Sequence, residues 1–156
     1  MNNRKSILHL ITCLLIPVIV GGISALLTSN AMVSFASMNK PPLAPPGWLF
    51  PIVWTILYLL MGIASYMLYI SDSARGSFAL IIYGIQLIFN FCWSILFFRF
   101  GWYWTAAIWL IIMWIMIIWL IGISKKVSTI ATLCLIPYLI WTTFAAYLNI
   151  GIAWLN

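Results

Sequence analysis

Acidic residues are almost absent from this sequence, in which Asp72 is the only one among 156 residues. A single carboxylate provides no pair for glycosidase-type acid–base chemistry, no carboxylate-rich metal site and no acid within a membrane span for proton-coupled transport. The serines and threonines occur without a general base or a Gly-x-Ser-x-Gly motif, and glycine-rich phosphate loops are missing. Most hydrolytic, phosphate-transfer and pump mechanisms are therefore excluded.

Charge of either sign is also scarce. Charged residues make up 5% of the chain and hydrophobic residues 66%, whereas soluble domains carry about a quarter charged residues. Water could not solvate such a surface, so the sequence predicts an integral membrane protein. The net charge of +6 comes from scattered cations and does not form the basic patch that follows nucleic acid phosphates, so no nucleic-acid partner is expected.

The few charged residues divide the chain into five charge-free runs, each able to hold the roughly 20 apolar residues that cross a bilayer as a helix. Closed β-barrels are the only other spanning structure, and their weak alternating segments do not resemble these runs. We predict an all-α, polytopic membrane protein with one five-helix domain over residues 1–156. The predicted helices lie near 6–27, 47–69, 77–98, 102–123 and 129–153, and residues 28–46 form a lid loop.

The basic residues favour one face of the membrane. Five predicted spans place Arg4, Lys5, Arg75, Lys125 and Lys126 on the N-terminal face, and Lys40 and Arg99 on the other. The positive-inside rule then predicts a cytoplasmic N-terminus and an external C-terminus. The first apolar run is long for a cleaved signal peptide and no clear Ala-x-Ala site follows it, so we expect it to be retained. The chain looks complete without a targeting extension, and a bacterial inner membrane is the expected location.

Residues 40–58 combine five prolines with aromatic side chains at the start of the second predicted helix. Two Pro-Pro pairs favour an extended, rigid connection, because proline fixes φ and disfavours helix in the preceding residue. The helix can begin only near Pro46 or Gly47, which leaves Pro51 in its first turn. A proline-rich turn before a membrane helix with interfacial aromatics explains the same composition equally well.

Helical spacing groups aromatic and polar side chains on one face of three predicted helices. The uncharged polar residues Gln86 and Asn90 need hydrogen-bond partners inside the bundle, and they bring Trp93 inward with them. The small Ala145, one turn after Trp141, leaves a flat recess beside an indole. The faces include Trp54 and Tyr58 on the second helix, Asn90, Trp93 and Phe97 on the third, and Tyr138, Trp141, Ala145 and Leu148 on the fifth.

Flat rings and a few neutral hydrogen-bonding groups suit a planar, hydrophobic, weakly polar ligand such as a tetrapyrrole or a sterol-like molecule. The alternative is that the tryptophans only fill a membrane bundle. A small-residue patch around Gly22 and Ala25 either packs against a neighbouring helix or leaves room for that ligand. The three cysteines lie inside predicted spans and His9 has no acid nearby in the sequence, so we expect neither a disulfide framework, nor a metal site, nor a cofactor.

Several motifs resemble those of the translocator protein family, also called tryptophan-rich sensory proteins or peripheral-type benzodiazepine receptors. The most specific motif is Pro41-Pro42-x-x-Pro45-Pro46-x-Trp48-x-Phe50-Pro51-x-Val53-Trp54-x-x-Leu57-Tyr58. The resemblance continues through Phe89-Asn90-x-x-Trp93-x-x-x-Phe97-Phe98, Gly101-Trp102, Pro137-Tyr138-x-x-Trp141-x-x-Phe144-Ala145 and Leu148-Asn149. It therefore spans all five predicted helices.

The resemblance implies a five-helix bundle, commonly a homodimer in membrane lipid, with a pocket beneath the first loop. Such pockets accept porphyrins, cholesterol-like lipids and isoquinoline carboxamide or benzodiazepine ligands. Pro45 would then belong to the lid, and Gly22 and Ala25 to a wall from the first helix. The other predicted ligand-binding residues are Phe50, Trp54, Tyr58, Asn90, Trp93, Phe97, Tyr138, Trp141, Ala145 and Leu148.

The family also suggests an enzymatic role. Some members are described as degrading protoporphyrin in light, and the participating tryptophans look like Trp54 and Trp141, which we predict as catalytic residues. An excited porphyrin can oxidise a neighbouring indole or generate reactive oxygen, so this chemistry requires no acid–base pair. The alternative is a structural or regulatory membrane protein in which ligand binding is incidental. Ile150 and Trp154 replace the residues of the animal cholesterol-recognition pattern, so recognition of cholesterol through that weak motif is not expected.

Overall fold

The computed structural model describes residues 3–29 and 31–156. The side chains of Arg4 and Lys5, on which the orientation prediction partly depends, lie outside the described part. Within those ranges helices are the only regular secondary structure, which confirms the predicted all-α fold class. The helices are α1 (Asn3–Leu27), α2 (Ala31–Ser37), α3 (Leu49–Tyr69), α4 (Ala74–Ser94), α5 (Tyr103–Ser124) and α6 (Thr129–Leu155), and a π-helical turn (Ile95–Arg99) extends α4.

Among the residues that the structure describes, five helical segments are long and apolar enough to cross a membrane, as the charge-free runs predict. They are Ile7–Leu27, Leu49–Tyr69, Ala74–Arg99, Tyr103–Ser124 and Thr129–Leu155. The helix boundaries differ by a few residues from those expected. For example, α4 begins at Ala74 because the hydroxyl of Ser73 accepts a hydrogen bond from the backbone N–H of Gly76 at 3.0 Å, which caps the helix.

The main correction concerns the connection between the first two spans. The sequence predicts a loop over residues 28–46, but Ala31–Ser37 form the short helix α2. Residues 38–48, which contain both Pro-Pro pairs, lack helix up to the start of α3. We refer to residues 31–46 as the lid segment.

The spanning helices form a ring in which α1 packs on α3, α3 on α6, α6 on α5 and α5 on α4. The ring closes where α4 meets α3 and, more sparsely, α1. Many apolar side chains of α1 are exposed, among them Ile7, Leu8 and Leu26. A lipid environment solvates such side chains without cost, so their exposure agrees with a membrane-spanning helix.

Two glycines permit the close approach of α1 and α3. A Cβ atom at Gly21 would lie 2.1 Å from a ring carbon of Tyr58, and a Cβ atom at Gly62 would lie 2.7 Å from the Cα atom of Leu14. Small residues at helix crossings allow backbones to pack closely in a membrane. Gly21 also allows α1 to contact the ring of Tyr58.

The C-terminal end of α4 widens into a π-helical turn. The backbone N–H of Phe100 donates to the carbonyl of Ile95 at 3.1 Å, and that of Trp102 donates to the carbonyl of Leu96 at 3.0 Å. Gly101 follows in the left-handed region with φ +66°, a conformation that glycine adopts readily. The chain then reverses directly into α5, as the short predicted connection requires.

Candidate ligand-binding cavity

A cavity of about 290 Å³ lies among α1, α3 and α4, at the end of the bundle covered by α2. Its walls differ in chemistry. One wall is aromatic and consists of Phe50, Trp54, Tyr58, Trp93 and Phe98. The other carries hydroxyl groups, which belong to Ser24, Thr28, Ser29 and Ser94.

Trp54 is the centre of the aromatic wall. Its ring centroid lies 5.5 Å from that of Tyr58 and 6.1 Å from that of Trp93, with both pairs of rings tilted. The ring of Tyr138 meets it edge-on at 6.2 Å. These separations fall in the 4.5–7 Å range of favourable aromatic pairs, so the rings of three helices support one another around the cavity.

A hydrogen bond fixes the orientation of Trp93. Its indole N–H donates to the side-chain oxygen of Asn149 at 3.0 Å, and the amide nitrogen of Asn149 donates to the backbone carbonyl of Tyr103 at 2.9 Å. Asn149 is 1% exposed. The Asn149 amide therefore connects Trp93 of α4 to α6 and to the start of α5.

A chain of neutral hydrogen bonds forms the floor of the cavity. The Tyr58 hydroxyl donates to the Asn90 side-chain oxygen at 2.8 Å, and the Asn90 amide donates to the Tyr138 hydroxyl at 3.2 Å. Tyr138 in turn donates to the side-chain oxygen of Gln86 at 2.8 Å. Gln86 and Asn90 thus both have partners inside the bundle, as expected, but the amide nitrogen of Gln86 is buried without one among the described residues. Asn90 is the amide that lines the cavity.

The hydroxyl wall was not found by sequence reasoning. Ser24 and Ser94 hydrogen-bond to each other between α1 and α4, and the hydroxyl of Thr28 donates to the carbonyl of Ser24 at 2.8 Å. The available signal was spacing, because Ser24 and Thr28 are four residues apart and Ser94 follows Asn90 by four. These hydroxyl groups could hydrogen-bond to oxygen atoms on one edge of a ligand.

Six predicted ligand-binding residues line this cavity: Ala25, Phe50, Trp54, Tyr58, Asn90 and Trp93. Three others, Phe97, Ala145 and Leu148, line a separate void of about 20 Å³. That void lies on the α6 side of Phe50 and Trp93, which both spaces share. The structure thus divides the expected site in two.

Four predicted residues line neither space. Trp141 lies beyond Phe50 and meets its ring edge-on at a centroid distance of 5.8 Å, so the structure does not bring Trp54 and Trp141 to one cavity. Tyr138 belongs to the hydrogen-bond chain of the floor without lining the cavity, and Pro45 is half-buried in the lid segment. Gly22 is exposed with open space around it, and the neighbouring Gly21 lines the cavity.

The lid segment is fastened to the end of α6. The backbone N–H of Asn39 donates to the side-chain oxygen of Asn156 at 3.1 Å, and the Asn156 amide returns a bond to the Asn39 carbonyl at 2.9 Å. The hydroxyl of Tyr147 donates to the carbonyl of Pro42 at 2.6 Å. Pro41 of the lid packs closely on Gly151 of α6, where a Cβ atom would lie only 2.6 Å from the proline ring. Close packing and hydrogen bonds together hold the lid over the cavity.

The site is electrically neutral among the residues that the structure describes. Lys40 is engaged in the lid, where its ammonium group donates to the carbonyls of Phe35 and Ala36 at 2.9 Å. The three cysteines are free thiols. Within residues 3–29 and 31–156 no group of three or more His, Cys, Asp or Glu residues could hold a metal ion.

The tryptophans of α5 do not contribute to the cavity. Trp109 stacks on Phe89 at 4.4 Å and donates its indole N–H to the carbonyl of the same residue at 3.0 Å. Trp114 donates to the hydroxyl of Thr143 at 2.8 Å, and Trp119 is 52% exposed. None of these three rings is part of the cavity lining.

Comparison with known proteins identifies the family. The sequence profile of the TspO/MBR family matches residues 13–155. "Tryptophan-rich protein TspO" of Chlorobaculum tepidum is 34% identical over 98% of this chain and 99% of the relative. "Tryptophan-rich sensory protein" of Cereibacter sphaeroides is 34% identical over 78% of this chain and 76% of the relative. "Translocator protein" of Ovis aries is 35% identical over 74% and 70%, respectively.

Proposed function

The chain belongs to the TspO/MBR family of integral membrane proteins, and on this basis we propose that it is a receptor or carrier for porphyrins and other flat hydrophobic ligands. The ligand binds in the cavity beneath the lid segment. It lies with one face against the aromatic wall and one edge toward the hydroxyl wall.

The aromatic wall is the observation that carries this proposal. Trp54, Tyr58 and Trp93 present π-systems to the cavity, with Asn90 as a neutral hydrogen-bonding group between them. A flat apolar ligand gains both burial and ring stacking in such a site. The described lining holds no formal charge, so a hydrophobic ligand enters without displacing a strongly hydrated group.

Titration of protoporphyrin against intrinsic tryptophan fluorescence tests the proposal. We expect Trp54→Ala to weaken binding at least tenfold, because about 1.4 kcal/mol corresponds to that factor and a stacked ring contributes a comparable amount. Trp119→Ala is the matched control, since this exposed tryptophan lies outside the cavity. Equal affinities of the wild-type protein and the Trp54→Ala variant would refute the proposal.

A light-dependent reaction of the bound porphyrin is a second function that the position of Trp54 favours. The excited macrocycle can take an electron from the Trp54 indole, which becomes a radical cation while the porphyrin becomes a radical anion, or it can excite dissolved oxygen. Tyr58, Trp93 and Tyr138 surround this indole. Illumination should yield a defined product at more than one turnover. Loss of porphyrin absorbance at the same rate with Trp54→Phe, or with free tryptophan, would contradict an enzymatic role.

We further propose a bacterial inner-membrane location with a cytoplasmic N-terminus and a homodimeric assembly. The orientation is supported by Arg75, Lys125 and Lys126, which adjoin the ends of spans on one face, whereas Lys40 and Arg99 lie on the other. Alkaline phosphatase fused after Lys126 should be inactive and a fusion after Asn156 active. The reverse pattern would overturn the orientation, and a monomer mass in mild detergent would overturn the dimer.

A further inference from the structure

The cavity is open on the side where α1 faces the end of α4. Ala25 and Ser29 line the cavity and are also exposed, and the contacts between α1 and α4 are sparse. Part of the lining is therefore accessible from outside the bundle. We refer to this opening, which is bordered by Ala25, Thr28, Ser29 and Phe98, as the mouth of the cavity.

Arg99 lies at the edge of the mouth. It follows Phe98 in the π-helical turn, its side chain is exposed, and its Nη1 atom donates to the carbonyl of Leu27 at 3.4 Å. Leu27 directly precedes Thr28, which belongs to the hydroxyl wall. The guanidinium group thus reaches from the end of α4 to the end of α1, beside the hydroxyl groups.

Most of the hydrogen-bonding capacity of Arg99 is not used within the protein. A guanidinium group has five N–H groups, and among the described residues the contact with Leu27 occupies one of them. Asp72, the only acidic residue of the sequence, lies between α3 and α4 at the opposite end of the bundle. No acidic side chain is therefore close enough to pair with Arg99.

Lys40 is the other cation that the structure describes at this end, and its donors are occupied. An ammonium group has three N–H groups, and this one donates to the carbonyls of Phe35, Ala36 and Met38 at 2.9, 2.9 and 3.2 Å. Lys40 therefore stabilises the lid segment and has no further donor for a ligand. Of these two cations, Arg99 is the one that a ligand in the cavity can use.

A carboxylate on the ligand has no suitable partner inside the cavity. The described lining is neutral, and burial of an ionised carboxylate is very unfavourable unless the charge is paired. Protoporphyrin carries both of its carboxylates on one edge of the ring. The ring can therefore lie against the aromatic wall only if that edge remains at the mouth, where Ser29 and Arg99 offer O–H and N–H donors.

We propose that Arg99 binds the carboxylate of the ligand and thereby selects flat hydrophobic acids over neutral molecules of the same shape. The guanidinium group donates two parallel hydrogen bonds to the carboxylate, and the hydroxyl of Ser29 donates a third. The ligand class is a planar apolar ring system with a carboxylate on one edge. This inference rests on the proposed function, because it assigns the polar edge of a ligand in the same cavity.

The test compares two pairs of probes in the purified full-length protein. One pair is protoporphyrin and its dimethyl ester, and the other is 1-pyrenebutyrate and its methyl ester. The acid-to-ester affinity ratio is compared between variants, so that partition of each probe into detergent cancels.

We expect Arg99→Gln to lower the acid-to-ester affinity ratio at least fivefold, because glutamine removes the charge and the paired donors. Arg75→Gln is the matched control, since Arg75 lies in the first turn of α4 at the opposite end of the bundle. Its affinity ratio should stay within twofold of the wild-type ratio. Arg99→Lys keeps the charge but not the two parallel donors, so it should lose only part of the preference for the acids.

The salt dependence of the wild-type protein provides a reading that does not depend on the folding of any variant. Salt screens a contact between exposed charges, so an increase in NaCl from about 50 mM to about 500 mM should weaken binding of the acids severalfold. Binding of the esters should change less than twofold. Acid affinities that do not respond to salt would overturn the inference.

The bland alternative is that Arg99 only caps the end of α1 through the Leu27 carbonyl. In that case Arg99→Gln weakens acid and ester binding equally, and either this result or an unchanged ratio in the folded variant refutes the inference while the porphyrin function stands. If the wild-type protein binds neither protoporphyrin nor its ester, the porphyrin function fails. The inference then stands if Arg99→Gln lowers the ratio for the pyrenebutyrate pair and fails if it does not.

Discussion

Trp93 and Asn149 are joined by a hydrogen bond of 3.0 Å between an indole N–H on α4 and an amide oxygen on α6. Asn149 also donates to the carbonyl of Tyr103 at the start of α5. One amide thus connects three helices at the end of the bundle that holds the cavity. Because both partners are buried, neither finds water as a substitute if the amide is lost.

The first prediction concerns this amide. Asn149→Leu should lower the free energy of unfolding by about 2–3 kcal/mol, since it leaves the buried Trp93 N–H without a partner and removes the hydrogen bond to the Tyr103 carbonyl. Thr143→Val is the control, because it removes the partner of Trp114 at an exposed site. Thermal unfolding in detergent measures both. Similar losses in the two variants would show that the Asn149 hydrogen bonds contribute no more to stability than the exposed hydrogen bond between Thr143 and Trp114.

The second prediction separates two adjacent glycines. Gly21→Ala should destabilise the protein by about 1–3 kcal/mol, the usual effect of overpacking, because its new methyl group would overlap the ring of Tyr58. Gly22→Ala has open space around it and should change stability by less than about 0.5 kcal/mol. The same unfolding assay distinguishes them. A larger effect at Gly22 would contradict the packing of α1 against α3.

The third prediction compares two tyrosines of the cavity floor. Tyr138→Phe removes a fully buried hydroxyl that both accepts from Asn90 and donates to Gln86, so we expect a loss of about 2–3 kcal/mol. Tyr58→Phe removes only the donor to Asn90 and should cost about 1 kcal/mol. Chemical unfolding of both variants checks the order, and a greater loss in Tyr58→Phe would refute the hydrogen-bond chain.

The fourth prediction concerns the attachment of the lid segment. Asn156→Ala and Tyr147→Phe each remove hydrogen bonds to Asn39 or Pro42, so backbone amides near residues 38–44 should exchange with deuterium several times faster. Protoporphyrin should also dissociate faster. Tyr69→Phe alters a tyrosine at the opposite end of α3 and serves as the control. Unchanged exchange in the lid segment would show that packing alone holds it.

The five spans could be predicted because their signal is strong and local. In a chain with so few charges, a pair such as Lys125 and Lys126 marks a span end almost without ambiguity. The inward positions of Asn90 and Trp93 were equally accessible, because a neutral amide in a membrane must find a partner inside the protein. Both inferences depend on the sequence near the residue concerned.

Other features depend on contacts between distant residues and could not be predicted. The α1 sequence is apolar on all sides, so nothing in it distinguishes Gly21 from Gly22 as the residue facing α3. Trp141 shares a helical face with Ala145, but the ring of Phe50 stands between Trp141 and the cavity. The helix α2 is too short for a periodic pattern, and the nearby Pro-Pro pairs suggested an extended chain throughout.

The neutral lining of the cavity has a consequence for energy coupling. None of the described lining residues carries a formal charge, so small movements of these side chains carry no charge through the electric field across the bilayer. Transmembrane voltage acts only on charge that moves, and the shape of the cavity is therefore independent of the membrane potential. An uncharged ligand would distribute between lipid and protein by solubility and fit alone, in an energised cell as in a detergent micelle.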